Sequence, residues 1–277
     1  MSLSTAEQML YSTLMLTAFN DDKQIGTGTG FYWGIQKDDG GAILIATNKH
    51  VIAGANRLKF SFHIANRENP ALPSGDFYNI DFRMRESDVI NHPNPDIDLC
   101  AIVFSGIYQQ SLDCGFRIFY KAITIDMVPT ANEFNNFDAI EDVVMIGCPN
   151  GLVDTVNNMP LARRGLTATS LKRDYEGSPD FMVDMACFPG SSGSPVFLFE
   201  KTSSLHAPML GPERMRFYFL GVLYAGPMIS NEGKIVFARQ PSVSVSSMMH
   251  LGMVVKSTEM HELNRAIDLK ARQDGNI

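Results

Sequence analysis

The sequence predicts an all-β chain built from barrels or sandwiches. Short runs rich in aliphatic, aromatic and β-branched residues recur at 31–35, 42–47, 58–64, 98–104, 142–146, 181–185, 195–199, 217–223 and 234–238. Turn signals separate them, at 37–41, 70–75, 91–95, 150–151, 176–179 and 231–233. Helical periodicity is sparse. Strands at short spacing without alternating helices favour barrels or sandwiches over βαβ units.

Taken in chain order, a weak helical signal runs from Ser4 to about Leu10. Leu14, Leu16 and Ala18 then alternate with Thr13, Met15 and Thr17, which reads as a first strand. The apolar stretch at 9–19 is too short to span a bilayer. It follows Glu7 rather than Lys or Arg, which argues against a secretory signal. The expected compartment is the cytoplasm, or the periplasm or exterior if a leader has been removed, and no membrane contact is expected. A linker is expected at 121–138, where Pro129, Asn132 and Asn135-Asn136 interrupt the β-type runs. After Ser257-Thr258, the residues Met260, Leu263, Ile267 and Leu269 recur near helical spacing, up to Asp274-Gly275.

The 277 residues are 45% hydrophobic and 19% charged, which supplies sizeable cores and excludes a disordered chain. The 23 Lys+Arg against 30 Asp+Glu leave a net charge of −7. That balance disfavours binding to a nucleic-acid backbone. Cys100, Cys114, Cys148 and Cys187 have no C-x-x-C spacing and read as buried, reduced thiols in strands. The 6 His are scattered, so neither a metal nor a cofactor is expected.

Chemistry concentrates in three segments. In the first, the strand at 42–47 runs into Asn48-Lys49-His50, which would hold an imidazole at the lip of a sheet. In the second, Asp96-Ile97-Asp98-Leu99-Cys100-Ala101-Ile102 sets a carboxylate at the start of an apolar strand, where a histidine N–H would satisfy it. The third, Pro189-Gly190-Ser191-Ser192-Gly193-Ser194-Pro195, places serines in a tight turn before a strand. The backbone N–H groups of Gly190 and Ser192 could there face an oxyanion. Singly, each segment has an ordinary explanation: a surface histidine, a strand-initiating aspartate, a glycine turn. The G-x-S-x-G elbow fails, because Ser194 stands where its last glycine is required and no strand-end histidine follows Ser192.

Together, in the order His, Asp, Ser, these segments resemble the trypsin-like serine proteases, and most closely the bacterial HtrA/Deg-like branch. Gly28-Thr29-Gly30-Phe31, Ile146-Gly147-Cys148-Pro149-Asn150-Gly151-Leu152 and Gly252-Met253-Val254-Val255-Lys256 are similar to further motifs of that branch. The resemblance implies two antiparallel six-stranded β-barrels: residues 1–120 carrying His and Asp, then the 121–138 linker, then 139–256 carrying the serine. Residues 257–277 form a helix and tail, with no room for a PDZ domain. It implies a serine endopeptidase acting on protein or peptide substrates, with His50 as general base and Ser192 as nucleophile. Asp98 is the acid, because Asp96 would put a carboxylate in the buried position; Asp96 is the alternative. Gly190 and Ser192 would form the oxyanion hole. Ala186 and Cys187 would lie at the floor of the first specificity pocket, with Tyr224, Ala225 and Gly226 as its wall. Ser194 departs from the family glycine and is expected to narrow the turn or the pocket wall. Ser191 stands where digestive trypsins carry the Asp that pairs with a cut N-terminus, so no zymogen cleavage is expected. A second expectation is a catalytically impaired fold acting as a binding or scaffold protein. A third is an esterase or acyltransferase on the same fold.

Overall fold

The structure is a computed structural model that describes residues 2–37, 40–201, 215–229 and 247–273. The first half contains β1 (Thr13–Asn20), β2 (Lys23–Lys37), β3 (Gly40–Thr47), β4 (Arg57–Ala65), β5 (Pro73–Arg83), β6 (Val89–Asn91), β7 (Cys100–Val103), β8 (Ile118–Phe119) and β9 (Ile123–Thr124). They form a 9-stranded sheet in the order β5-β4-β1-β2-β3-β7-β6, with β8 on β4 and β9 on β2. Residues 84–88, which include the short turn at Glu86–Asp88, separate β5 from β6. As β5 pairs with β4 and β6 with β7, the chain itself joins the two ends of this order.

The second half contains β10 (Asp142–Gly147), β11 (Leu161–Thr167), β12 (Asp180–Asp184), β13 (Pro195–Lys201), β14 (Met215–Ala225), the short pair β15 (Met228–Ile229) and β16 (Ser247–Met248), and β17 (Leu251–Lys256). Six of these close into a barrel, β10-β11-β12-β17-β14-β13. The chain is therefore all-β, with one closed six-stranded barrel and a second, nine-stranded sheet. Five helices are described: α1 (Thr5–Leu10), α2 (Lys49–Ile52), α3 (Ser105–Asp113), α4 (Ala131–Asn136) and α5 (Met260–Gln273).

Three apolar clusters follow from strand alternation. Leu14, Leu16, Tyr32, Ile45 and Leu58 fill the first half, and Val143, Met145, Phe181, Val183 and Leu220 fill the barrel. Phe31 and Trp33 point to the opposite face of β2 from Tyr32, where they meet Phe197, Phe219 and Val222 of the barrel. This third cluster cements the two halves. Met260, Leu263 and Ile267 of α5 close it, and the Trp33 Nε1–H donates to Asn264 Oδ1 at 2.7 Å.

Some elements leave little trace in the sequence. β5 lies mostly exposed along β4, so little apolar alternation marks it, and its first residues carry turn signals. β11 carries Arg163 and Arg164 and shows solvent on much of its length. β2 starts at Lys23 rather than near Phe31, its first residues being a glycine-rich hairpin arm against β1. The expected linker contains α4, capped by the reciprocal Thr130–Glu133 bonds. The expectation of buried thiols in strands is corrected: Cys114 is exposed at the end of α3, and of the buried, unpaired Cys100, Cys148 and Cys187 the last two lie in loops. The expected strand at 234–238, the turn at 231–233, part of the turn at 37–41 and the helix stop at 274–275 lie outside the described residues. Among the described residues no helix is long and apolar enough to cross a membrane.

Candidate active site

The buried strand β3 ends at Thr47, and the chain turns at Asn48 into α2, which carries His50. Asn48 is fully buried and its Nδ2 donates to the Asp98 carbonyl at 2.6 Å. That bond ties the histidine turn to the segment leading into β7. The Asp98 carboxylate then receives two bonds from one residue. The His50 backbone N–H reaches Oδ1 at 3.1 Å, and His50 Nδ1 lies 2.5 Å from Oδ2. An ionised carboxylate only accepts, so Nδ1 carries the proton and Nε2 is left with its lone pair. Burial opposes ionisation of Asp98, but the bonds and charge of His50 outweigh it and hold the carboxyl below its ordinary range. Asp96 is exposed in the preceding turn, its N–H bonded to Asn94 Oδ1 at 3.0 Å, and does not reach His50.

Ser192 sits in the turn between β12 and β13. Gly190 and Gly193 flank it with φ of +81° and +88°, values that L side chains rarely adopt. The Gly193 N–H donates to the Leu223 carbonyl at 2.8 Å, and the Leu223 N–H returns a bond to the Ser194 carbonyl at 2.9 Å. The turn is thereby locked onto β14. The Asn150 N–H holds the Pro189 carbonyl at 2.6 Å. Among the described residues no acceptor takes the N–H of Gly190 or of Ser192. The Ser192 hydroxyl donates to the Tyr224 carbonyl at 3.2 Å, and no bond joins it to His50.

Thr29 ties the end of β3, the 146–152 motif and the Ser192 turn together, a role its sequence motif does not disclose. Its N–H donates to the Ser192 carbonyl at 2.8 Å and its hydroxyl to the Gly190 carbonyl at 3.0 Å. Its own carbonyl accepts from Thr47 Oγ1 at 2.7 Å, and its Oγ1 accepts from the Cys148 N–H at 3.0 Å. A Cβ on Gly193 would lie 1.9 Å from the Thr29 carbonyl oxygen. Gly193→Ala is therefore expected to cost roughly 3 kcal/mol, combining backbone strain with overpacking. Calorimetry should show the melting midpoint fall by about 6–12 °C.

The remaining expected residues are distributed as follows. Ala186 is part-buried and its carbonyl accepts from Arg163 Nη1 at 2.5 Å. Cys187 is 2% exposed and packs into the barrel core, where burial pushes its thiol up to about 11. Tyr224 sends its hydroxyl to Asp180 Oδ2 at 3.0 Å, and burial followed by the Asp180 charge raises its phenol. Ala225 and Gly226 are part-buried where β14 ends. Ser194 is fully buried against Gly147, where a Cβ would lie 1.9 Å from its hydroxyl; the missing side chain at 147 makes its room. Among the described residues no group of three or more His, Cys, Asp or Glu is placed to hold a metal ion.

Comparison with known proteins adds family information. The family described as "Trypsin-like peptidase domain" matches residues 28–202. No curated protein matches the chain. Among solved structures, the Rv3671c protease from M. tuberculosis in its active form is similar at 15% identity, with 96% of this chain and 88% of that chain covered and a TM-score of 0.46. The serine endoprotease from Yersinia pestis is similar at 14% identity, with 100% of this chain and 70% of that chain covered and a TM-score of 0.45.

Proposed function

This chain belongs to the trypsin-like peptidase family, and from that premise we propose that it is a serine endopeptidase working through a His50–Asp98–Ser192 triad and an acyl-enzyme. Protein or peptide substrates follow from the family. The observation that carries the triad is the His50 Nδ1–Asp98 Oδ2 contact of 2.5 Å, which leaves Nε2 as the basic nitrogen. Ser192 Oγ attacks the peptide carbonyl and His50 Nε2 takes its proton. Asp98 holds the tautomer and stabilises the imidazolium. The N–H groups of Gly190 and Ser192 receive the oxyanion. His50 then returns the proton to the leaving amine, and water enters by the reverse sequence to free the enzyme.

For that first step the serine hydroxyl must turn from the Tyr224 carbonyl towards His50. His50 and Asp98 come from the first half of the chain and Ser192 from the barrel, so neither half alone carries the set. The motifs at 28–31, 146–152 and 189–195 support placement in the bacterial HtrA/Deg-like branch. The net charge of −7 disfavours nucleic acid as a partner.

The Ser192–Tyr224 bond favours one second reading, a catalytically impaired fold that binds peptides without cutting them. Incubation with casein separates the two. The peptidase reading expects progressive fragmentation that the substitution Ser192→Ala stops. Intact casein, retained by the protein, favours the binding reading.

Position 186 is an alanine, and a buried guanidinium lies beneath its carbonyl. Lys or Arg at P1 would meet at that position an alanine and, behind it, the like charge of Arg163. Small and medium apolar P1 residues are expected to exceed Lys and Arg by about 10–100-fold in kcat/KM. Cleavage of a peptide library read by mass spectrometry measures this; a Lys/Arg preference contradicts it.

A further inference from the structure

Arg163 stands on β11 opposite Met145 of β10, and its guanidinium reaches under the turn that carries Ser192. Nη1 bridges two points of that turn: the Ala186 carbonyl at 2.5 Å and Ser191 Oγ at 2.9 Å. Ser191 is 0% exposed, so this bond is sealed from water. Nε and Nη2 are buried as well, and among the described residues neither finds a hydrogen-bond partner. Among the described residues, the titratable groups that bear on the guanidinium are the thiols of Cys187 and Cys148. Burial pushes them up to about 11 and about 12, so both are neutral near pH 7, and among the described residues the charge has no counter-charge. A buried cation without a counter-charge is costly to the fold. A leucine or methionine at 163 would fill the same space without that cost. What such a residue lacks is the charge and the N–H donors of Nη1, which are aimed at Ala186 and Ser191.

Residue 191 lies between Gly190 and Ser192, the two residues whose N–H groups have no internal acceptor among the described residues. We propose that Arg163 is a positioning residue for peptide hydrolysis: by clamping the Ala186 carbonyl and Ser191 Oγ, it holds the 186–192 segment in the shape that offers both N–H groups to the oxyanion. The inference rests on the endopeptidase reading of this site. The clamp comes from within the chain, so it needs no cleaved N-terminus to form the pocket. Its contribution falls in the transition state, where the oxyanion forms, and so on kcat rather than on KM.

Turnover of a chromogenic peptide anilide and the rate of labelling by a fluorophosphonate, whose phosphoryl oxygen fills the same pocket, test this. They are measured on the wild-type chain, Arg163→Met, Arg163→Lys, Ser191→Ala and the Arg163→Met/Ser191→Ala double variant. Arg163→Met is expected to lower kcat and labelling by about 100-fold, with KM within about threefold. Arg163→Lys, which keeps the charge but not the fork, should recover part of that loss. The double variant should be no slower than Arg163→Met alone, because both changes break one clamp. Folded Arg163→Met with unchanged kcat, or losses that multiply in the double variant, overturns the proposal. If Arg163→Met does not fold, Arg163→Lys and Ser191→Ala decide: a lower kcat at constant KM in both supports the clamp, and an unchanged kcat in either overturns it. A wild-type chain that neither turns over nor labels overturns the endopeptidase reading itself. Wild-type turnover with unaffected variants overturns only the role of Arg163.

Discussion

Ser192→Ala is expected to lower kcat by about six orders of magnitude while KM changes little. The substitution removes one oxygen at a part-buried position on a turn whose backbone bonds all remain: Thr29 N–H to the Ser192 carbonyl, Gly193 N–H to the Leu223 carbonyl, and Leu223 N–H to the Ser194 carbonyl. Among the described residues it breaks a single hydrogen bond, from the hydroxyl to the Tyr224 carbonyl. Stability should therefore move by no more than about 1 kcal/mol. A fall in activity on this scale in a protein that stays folded separates chemistry from structure. The size follows from the cooperation of three groups. Without a nucleophile, the His50 base has no proton to take, and the remaining catalysis is that of the oxyanion donors and binding, worth roughly 1,000–10,000-fold over water. Steady-state rates on a peptide anilide, beside a melting curve, check both halves of the expectation.

Asp98→Asn is expected to cost about 10,000-fold in kcat. The volume is unchanged, and the bond from Asn48 to the residue-98 carbonyl does not involve the side chain at 98. An amide, however, both donates and accepts. It can donate its N–H to Nδ1 of His50, which places the ring proton on Nε2, the nitrogen that the proposed mechanism needs as base. The same substitution changes the pH dependence of stability. The folded-state carboxyl is held below its ordinary range by His50, despite burial. Its stabilising contribution is therefore complete above the ordinary carboxylate range and is lost as the pH falls through the depressed folded value. Denaturation curves at descending pH should show the wild-type chain losing its advantage over Asp98→Asn across that acidic window. A constant difference at all pH values would contradict the assigned charge state.

Much of this arrangement is legible in the sequence because its signals are local. Turn residues between short apolar runs mark most of the strands. The apolar residues at 42–47 lead into His50, and a glycine-rich turn precedes the strand at 195–199. The family pattern that the resemblance supplies, with Cys100 in the small apolar position two residues after the acid, separates Asp98 from Asp96, and in the structure Asp98 contacts His50 while Asp96 faces water. What stays hidden is non-local. Thr29 has the look of an ordinary strand residue, yet it joins residues 119 and 161 positions further along the chain. Arg163 belongs to a run too charged to announce a strand. Its partners Ala186 and Ser191 are 23 and 28 residues away and meet it only when β10, β11 and β12 close their side of the barrel. The rest position of the Ser192 hydroxyl is likewise a matter of one torsion, for which no residue pattern carries a signal.

If Ser192 is a nucleophile activated by His50, a fluorophosphonate will react with it, and intact-mass and peptide-level mass spectrometry will locate the adduct. A single phosphonyl adduct is expected on Ser192, absent in Ser192→Ala and strongly slowed in Asp98→Asn. A folded wild-type protein that gains no adduct, or one that carries it on Ser191 or Ser194 instead, would rule out Ser192 as the activated nucleophile.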